Sequence, residues 1–399
     1  MEAYRADVAF DGERVLAGGA TVLVRDGVIA GVEPAAAAVP DGCPVTHLPG
    51  TTLLPGLIDT HSHLCGNDQP DALDRLPGLS PDQLDQSVEA ALARQLAAGV
   101  TAVRDLGDSR WAVVDRHRHR PDGPTVVAAG PPITSPGGHC ASMGGEASGV
   151  DALRRAVRER AERGADLVKI MASGGMLTPG TDVRACQFSL DELRAVVEEA
   201  HRLGLPATAH AHALAAIEQC VTAGVDGIEH CSFLTDRGIV TPPRLAAAIA
   251  AAGIAVCPTL GHDLDAMASL PPAMIALAER VGITVEQRLA QIGELHAAGV
   301  SFVSGVDSGI NPVKRHGLLP SAVIELVAAG VPPATALASA TSKAAEACAL
   351  ADRTGRLRAG LHADLLLVSG DPTTDITAIR DTRIVVSHGR ITRPAETAS

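Results

Sequence analysis

Two histidines one residue apart open the search for chemistry in this chain. They lie in Pro55-Gly56-Leu57-Ile58-Asp59-Thr60-His61-Ser62-His63-Leu64. On a strand, residues i and i+2 point to one face, so His61 and His63 can converge on one point if the strand reaches that far. Neutral imidazoles are common ligands of divalent transition metals. A lone His-x-His is commonplace. Its place at the end of an apolar strand, after Pro-Gly-Leu-Ile-Asp, gives this one weight.

Lys169 sits in Ala165-Asp166-Leu167-Val168-Lys169-Ile170-Met171, the composition of a buried strand, and the only other lysines are Lys314 and Lys343. An unpaired ammonium there would be costly. Burial lowers its pKa and makes the amine a nucleophile toward carbon dioxide. The resulting carbamate is an anionic oxygen ligand able to bridge two metals. The bland alternative is a lysine at a strand end that reaches solvent.

Further ligand types recur at later strand ends. His210 closes Leu205-Pro206-Ala207-Thr208-Ala209-His210, His230 closes Val225-Asp226-Gly227-Ile228-Glu229-His230, and Asp307 follows Val300-Ser301-Phe302-Val303-Ser304-Gly305-Val306. Singly each reads as a structural polar residue. Six metal-competent positions on five strands are hard to assign to chance.

A second tier carries less weight. His139 lies in the Gly-rich loop Ser135-Pro136-Gly137-Gly138-His139, free to approach a substrate. His212 shares a face with His210 if that strand continues, and otherwise faces solvent at a helix start. Arg184, Lys314, Arg315 and His316 lie in loops expected over the same mouth, where solvated charge is the default reading. His117 and His119 fall in an Arg-rich segment that reads as an exposed helix, and they receive no role.

The elements that position these residues alternate. Strand candidates are Leu57–Thr60, Ala102–Asp105, Thr125–Ala129, Leu167–Met171, Ala207–His210, Gly227–His230, Ala255–Pro258 and Phe302–Val306. Helical patterns lie between them at Pro81–Ala98, Val150–Arg163, Leu190–Leu203, Ala213–Ala223, Pro243–Ala252, Val285–Ala298 and Leu319–Ala328, many closing on a glycine before the next strand. Strand–helix units in series favour a closed (β/α)₈ TIM barrel over an open doubly wound sheet, with the functional residues at the carboxyl ends of the strands. No G-x-G-x-x-G follows a strand, which weakens a dinucleotide-binding reading. Short strands at both termini (Asp7–Phe10, Ala20–Arg25, Val28–Val32, Thr51–Leu54, Ala363–Ser369, Ile384–Ser387) predict a small β-sandwich domain. The expected division is 1–56 and 354–399 for that domain and 57–353 for the barrel.

Hydrophobic residues are 46% and aromatic residues 2% of the 399, so the core must be filled by Ala, Val, Leu and Ile. A formal charge of −13 argues against a nucleic-acid backbone as ligand. No apolar run has the length of a membrane span and the first residues lack a signal-peptide pattern. Eight scattered cysteines without a C-x-x-C pair suit buried thiols in a reducing cytoplasm. The expected partner is a small-molecule substrate; the sequence also allows a homo-oligomer.

Together these motifs resemble the amidohydrolase superfamily, in its prolidase-like and imidazolonepropionase-like branch. The likeness runs from Pro55-Gly56-Leu57-Ile58-Asp59 to Gly360-Leu361-His362-Ala363-Asp364-Leu365, and KIMASGG around Lys169, AHAHA around His210 and GIEHC around His230 place it nearer the prolidase-like members. The resemblance implies two divalent ions, zinc favoured. His61 and His63 would bind the first, carboxylated Lys169 would bridge, and His210 and His230 would bind the second. Asp307 would ligate and shuttle protons, and His139 would contact the scissile carbonyl. His212 stands where some relatives carry Tyr. The implied reaction is attack of a metal-bridging hydroxide on the amide or peptide bond of a dipeptide or N-acyl amino acid, with Arg184, Lys314, Arg315 and His212 as substrate contacts. One alternative is a mononuclear imidazolonepropionase-like hydrolase or deaminase of a cyclic amide or amidine. Those enzymes lack a bridging lysine, so Lys169 counts against it. The other alternative is a non-catalytic barrel scaffold, which has no reason to keep clustered imidazoles.

Overall fold

A computed structural model describes residues 1–120, 122–269, 275 and 283–392. The chain has a mixed α/β fold. Strands Thr125–Ala128, Val100–Asp105 and Leu57–Ser62 pair in that order, all parallel. Strands Val168–Met171, Ala207–Ala213, Gly227–Thr235 and Ala255–Cys257 form a second parallel set. Parallel bridges Ile133–Ile170, Val256–Phe302 and Ser62–Ser308 continue the pairing beyond the named strands. The strands are buried almost without interruption, as expected of parallel sheets covered on both faces.

Helices Pro81–Ala97, Val150–Glu162, Leu190–Arg202, Leu214–Ala223, Pro243–Ala252, Val285–Ala297 and Leu319–Ala328 fall where the 3.6-residue pattern predicts them. Ser80, Ser189 and Thr284 each accept from the backbone N–H three residues on, while Gln83, Glu192 and Gln287 reach back to the cap N–H. These reciprocal pairs satisfy donors that a helix start otherwise leaves orphaned. Helices Ala72–Arg75, Leu264–Ala268, Pro333–Ser339 and Ser342–Ala347 were not expected.

The eighth expected strand, Phe302–Val306, is corrected: it is not a strand but extended chain with one bridge, at Phe302. Thr60 N–H donates to Ser304 O at 3.0 Å and Asp307 N–H to His61 O at 2.8 Å, so the segment still lies against the His61 strand. Asp307 itself has φ 65°, outside extended geometry, and contact with the His61 strand resumes beyond it at the Ser62–Ser308 bridge. The approach is close enough that a Cβ on Gly305 would stand 2.6 Å from His61 N. The segment around His117 also departs from expectation. The helix ends at Arg116, and His117 is buried with Nε2 2.7 Å from Asp85 Oδ1.

The terminal segments meet in two sheets. One has the order Val28–Pro34, Ala20–Arg25, Glu2–Ala6, Val45–His47. The other runs Arg390–Thr392, Thr382–Ser387, Leu365–Ser369, Thr51–Pro55, Val8–Phe10, Val15–Leu16. Tyr4, Val22 and Ile29 of the first share a buried cluster with Leu53, Leu365 and Val386 of the second. Residues 393–399, the end of the expected C-terminal part, lie outside the described residues.

Candidate functional site

The strand ends surround a cavity of about 290 Å³ lined by His61, His63, His139, Lys169, His210, His212, His230, Asp307 and Lys314 among others. Three strands run further than expected, to Ser62, Ala213 and Thr235, and the first two extensions carry His61 and His212 into place beside His210 and His230. The backbone around the cavity is unusual. Cys140, His230, Thr259 and Asp307 all have positive φ between 50 and 66°, the conformational strain that collects where function fixes geometry.

Hydrogen bonds assign a ligand-ready nitrogen to four of the imidazoles. His61 Nδ1 is 2.8 Å from Glu229 Oε2, and His63 Nδ1 is 3.1 Å from Gly107 O. Both acceptors take the ring proton, so each Nε2 is left with a lone pair. His210 Nε2 donates to Gly174 O at 3.1 Å, which frees Nδ1. Thr259 Oγ1 spends its own proton on Pro258 O and accepts from His230 Nδ1 at 2.9 Å, freeing Nε2.

Two groups of three that line the cavity have ligand atoms inside 4.8 Å: His61, His63 and Asp307, and His210, His212 and His230; His61, Glu229 and Cys257 form another behind it. In the first, Asp307 Oδ1 stands 3.2 Å from His61 Nε2 and 3.1 Å from His63 Nε2. Lone pairs facing a carboxylate need a proton or a cation between them. With a proton there, the pull of Asp307 outweighs burial and lifts His63 above its ordinary pKa, while His61 and His63 hold the buried Asp307 well below its own. In the second group the rings lie 4.4 to 4.7 Å apart, with His212 stacked on His230. Burial and then the neighbouring rings push His210 and His230 well below the usual range and His212 down to about 3, so all three are neutral near pH 7.

Lys169 is buried between the groups' charges, and its Nζ has no hydrogen-bond partner. Desolvation lowers its pKa against the pull of Glu229 and Asp307. An orphaned buried amine beside ligand-ready imidazoles fits a metal centre with a modified lysine, since either change would satisfy it.

His139 is buried, with Nδ1 2.9 Å from Thr178 Oγ1, and desolvation pushes it down to about 4. A Cβ on Gly175 would meet its Nε2 at 2.3 Å, so only glycine lets that ring edge in. Lys314 is half-buried in the cavity wall, donates Nζ to Thr259 O at 2.6 Å, and is pushed down to about 8 by burial. Arg184 and Arg315 are not brought to this cavity. Arg184 donates Nε to Thr235 O at 3.2 Å, and Arg315 is exposed and pairs with Asp263. His316, expected in a solvated loop, is buried behind the wall near Ser62.

Two functional candidates escaped the sequence reading. Glu229 is fully buried, pairs with His61, and accepts from Arg104 Nη2 at 3.0 Å and Thr208 Oγ1 at 2.6 Å. Burial raises its pKa, but Arg104 and His61 outweigh that and hold it ionised. A carboxylate inside an apolar strand is the same signal that marked Lys169. Arg288 lines the cavity from its helix and donates to the carbonyls of His230, Cys231 at 3.1 Å and Pro258 at 3.2 Å. Nothing separates it in sequence from a solvated helix arginine.

Comparison with known proteins identifies the family. The ochratoxinase of Aspergillus niger is 27% identical over 378 residues, 84% of this chain and 73% of that protein. A Xaa-Pro dipeptidase structure with methionine in its active site is 25% identical, covers 98% of this chain and 99% of its own, and superposes with a TM-score of 0.84. A prolidase complexed with N-methylphosphonate-L-proline is 26% identical, with coverage of 98% and 99% and a TM-score of 0.82. The family model described as the amidohydrolase family matches residues 52–391. That span includes every residue of both ligand groups, and the chain belongs to the amidohydrolase family.

Proposed function

We propose that this protein is a binuclear metal-dependent hydrolase of amide bonds whose substrates are dipeptides or N-acyl amino acids with a free carboxylate on the amine half. One observation carries the reading: four imidazoles each commit one nitrogen to an oxygen acceptor and leave the other free at one cavity, beside the unpartnered Nζ of Lys169. The parallel strands and the bridges between them are read as a (β/α)₈ barrel over 57–353. The terminal sheets are read as a small β-sandwich domain of residues 1–56 and 354–399. The ions, zinc by the chemistry of the donors, would be held by His61 and His63 and by His210 and His230, with Asp307 and the Lys169 carbamate as oxygen ligands. They would supply a water acidified to neutral pH and Lewis acidity at the scissile carbonyl.

The chain's own groups supply the rest. Asp307 takes a proton from the attacking water and passes it to the leaving amine. Thr178 holds His139 at Nδ1, and in the tautomer with the proton on Nε2 that edge would donate to the carbonyl oxygen. Glu229 and Thr259 hold His61 and His230 in one tautomer. Lys314 binds the substrate carboxylate: among the described residues it has no carboxylate partner within ion-pair distance, whereas the Arg288 donors are spent on carbonyls. Met176, Leu177, Ile283, Val285, Ile310 and Val313 line the remaining wall and favour an apolar acyl half. The relatives named for dipeptide and prolyl substrates support a carboxylate on the leaving side. No helix among the described residues is long and apolar enough to cross a membrane. The eight free thiols support a place in the reducing cytoplasm.

The test is a hydrolysis screen of dipeptides, N-acyl amino acids, lactams and carbamates run beside elemental analysis of the cavity metal. Two ions held by cavity residues and turnover of carboxylate-bearing amides are expected. One tightly held cavity ion, with Lys169→Ala as active as the parent, would replace this reading with the mononuclear one.

A further inference from the structure

Another cluster of ligand types lies away from the cavity. His362, Asp364 and His388 bring ligand atoms within 4.8 Å of one another, and none of them lines the cavity. The imidazole centroids of His362 and His388 are 4.9 Å apart at 61°. Asp364 is 2% exposed, and its Oδ2 has no hydrogen-bond partner. His362 Nδ1 is likewise buried and unpartnered.

The backbone fixes all three. Ala363 N–H donates to Gly27 O at 2.8 Å, Gly389 N–H to Ala363 O at 3.0 Å, and His388 N–H to Asp364 Oδ1 at 2.8 Å. His362 also bridges to Val28. The cluster therefore ties the hairpin at residues 25–28 to two C-terminal segments. Thr125 Oγ1, at the amino end of its strand, is 3.2 Å from His388 Nε2, which puts the cluster at the opposite end of the parallel strands from the cavity.

A buried carboxylate oxygen and a buried ring nitrogen without donors are costly side by side. A divalent cation would satisfy both. Zinc bonds of about 2.0–2.2 Å at tetrahedral angles set donor atoms roughly 3.4 Å apart. The present ligand atoms lie within 4.8 Å of one another, so an ion would draw them together. Two imidazoles and a carboxylate leave a fourth position for water, and histidine with carboxylate suits zinc or iron(II) rather than calcium.

We propose that His362, Asp364 and His388 form a separate binding site for a divalent transition ion, which clamps the N-terminal and C-terminal segments together. The probe is Zn²⁺ alone, added to chelator-treated full-length protein, with Co²⁺ as its spectroscopic substitute. In a variant carrying His61→Gln, His63→Gln, His210→Gln and His230→Gln, which leaves the two cavity groups no imidazole but His212, one Zn²⁺ per chain and a Zn²⁺-dependent rise in Tm are expected to remain. Adding His362→Gln/His388→Gln should weaken that remaining ion by about 100-fold or more and erase the rise and the Co²⁺ visible band. In the otherwise natural chain the same pair should leave hydrolysis within about twofold. The proposal fails if the cavity variant retains no ion, or if the terminal pair leaves stoichiometry and Co²⁺ spectrum unchanged. If the terminal pair does not fold, His362→Gln alone is read by the Co²⁺ spectrum. Loss of cavity ions with this one retained would overturn the hydrolase reading and not this one.

Discussion

The carboxyl ends of the parallel strands and the terminal sheets make opposite use of burial. At the strand ends, His61, His63, Lys169, His210, Glu229 and His230 are all buried, and an amine is left without a partner. In the terminal sheets, Tyr4, Val22, Leu53, Leu365 and Val386 pack in an apolar cluster, and the strand backbones pair in regular ladders. Polar groups withheld from water are poised to bind something, and apolar groups withheld from water hold the chain together. Substitutions in the two regions should therefore move different measurements.

The largest effect should come from Asp307. Asp307→Asn keeps the shape but removes the base, and turnover should fall about 10²-fold or more while Tm barely changes. The fully metallated variant is compared with the parent under saturating substrate. Parent-like turnover would remove the proton-shuttle role and leave Asp307 as a ligand only.

A smaller effect belongs to Lys314. Lys314→Met keeps the stem but loses the charge, and a charge-assisted hydrogen bond of about 1.5–3 kcal/mol predicts a loss of roughly ten- to a hundredfold in kcat/KM. The loss should fall on KM and be confined to substrates with a free carboxylate. Matched acid and C-terminal amide substrates measure it directly. An equal loss on both would take the carboxylate away from Lys314 and point to a neutral lactam, carbamate or ester.

Acid should separate the regions without touching catalysis at neutral pH. Burial, with Arg94 adding to it, pushes His316 down to about 3, against an unfolded value of about 6.5. Between those values the unfolded chain binds the extra proton, so this contribution to stability is whole above pH 6.5 and shrinks as pH falls toward 3. At pH 5 it should have lost about 2 kcal/mol. His316→Gln should flatten the decline from pH 7 to 5 by that amount, read by denaturant unfolding of metal-free protein. His63, raised by Asp307, has the opposite sign but is common to both proteins. An unchanged slope would show that His316 is protonated as readily in the fold as out of it.

Sequence pattern made the helices and most parallel strands legible, because apolar period and terminal caps are local signals. It also singled out residues that the fold brings to one cavity: a two-residue spacing marks His61 and His63, and a charge in an apolar strand marks Lys169. The same test, applied to GIEHC, would have found Glu229. What it missed depends on contacts between distant segments. Arg288 reaches three carbonyls near His230 from a helix whose polar face looks ordinary. Phe302–Val306 has the composition of a strand, but its contacts with the neighbouring strands amount to one bridge at Phe302 and scattered hydrogen bonds, which local composition does not report. The loop charges could be ranked only by where the chain turns, and that turned Lys314 toward the cavity and Arg315 toward Asp263.

The smallest effect on chemistry, with a large one on folding, should come from Leu53. It is fully buried on strand Thr51–Pro55, which pairs with Leu365–Ser369 on one side and Val8–Phe10 on the other. Its side chain belongs to the cluster shared by both terminal sheets. Leu53→Ala removes buried apolar volume at that seam and should cost about 2–5 kcal/mol, the spread depending on how far the neighbours collapse. The strand continues through Gly56 into the strand that carries His61, so the seam is close to the site in sequence. Yet the cavity is lined by other residues, and below the unfolding transition kcat should stay within about twofold of the parent. Urea unfolding and steady-state kinetics on one preparation give both numbers. A kcat that falls in step with stability would mean that the terminal sheets hold the metal ligands in register as well as closing the chain, and the division between the two regions would have to be abandoned.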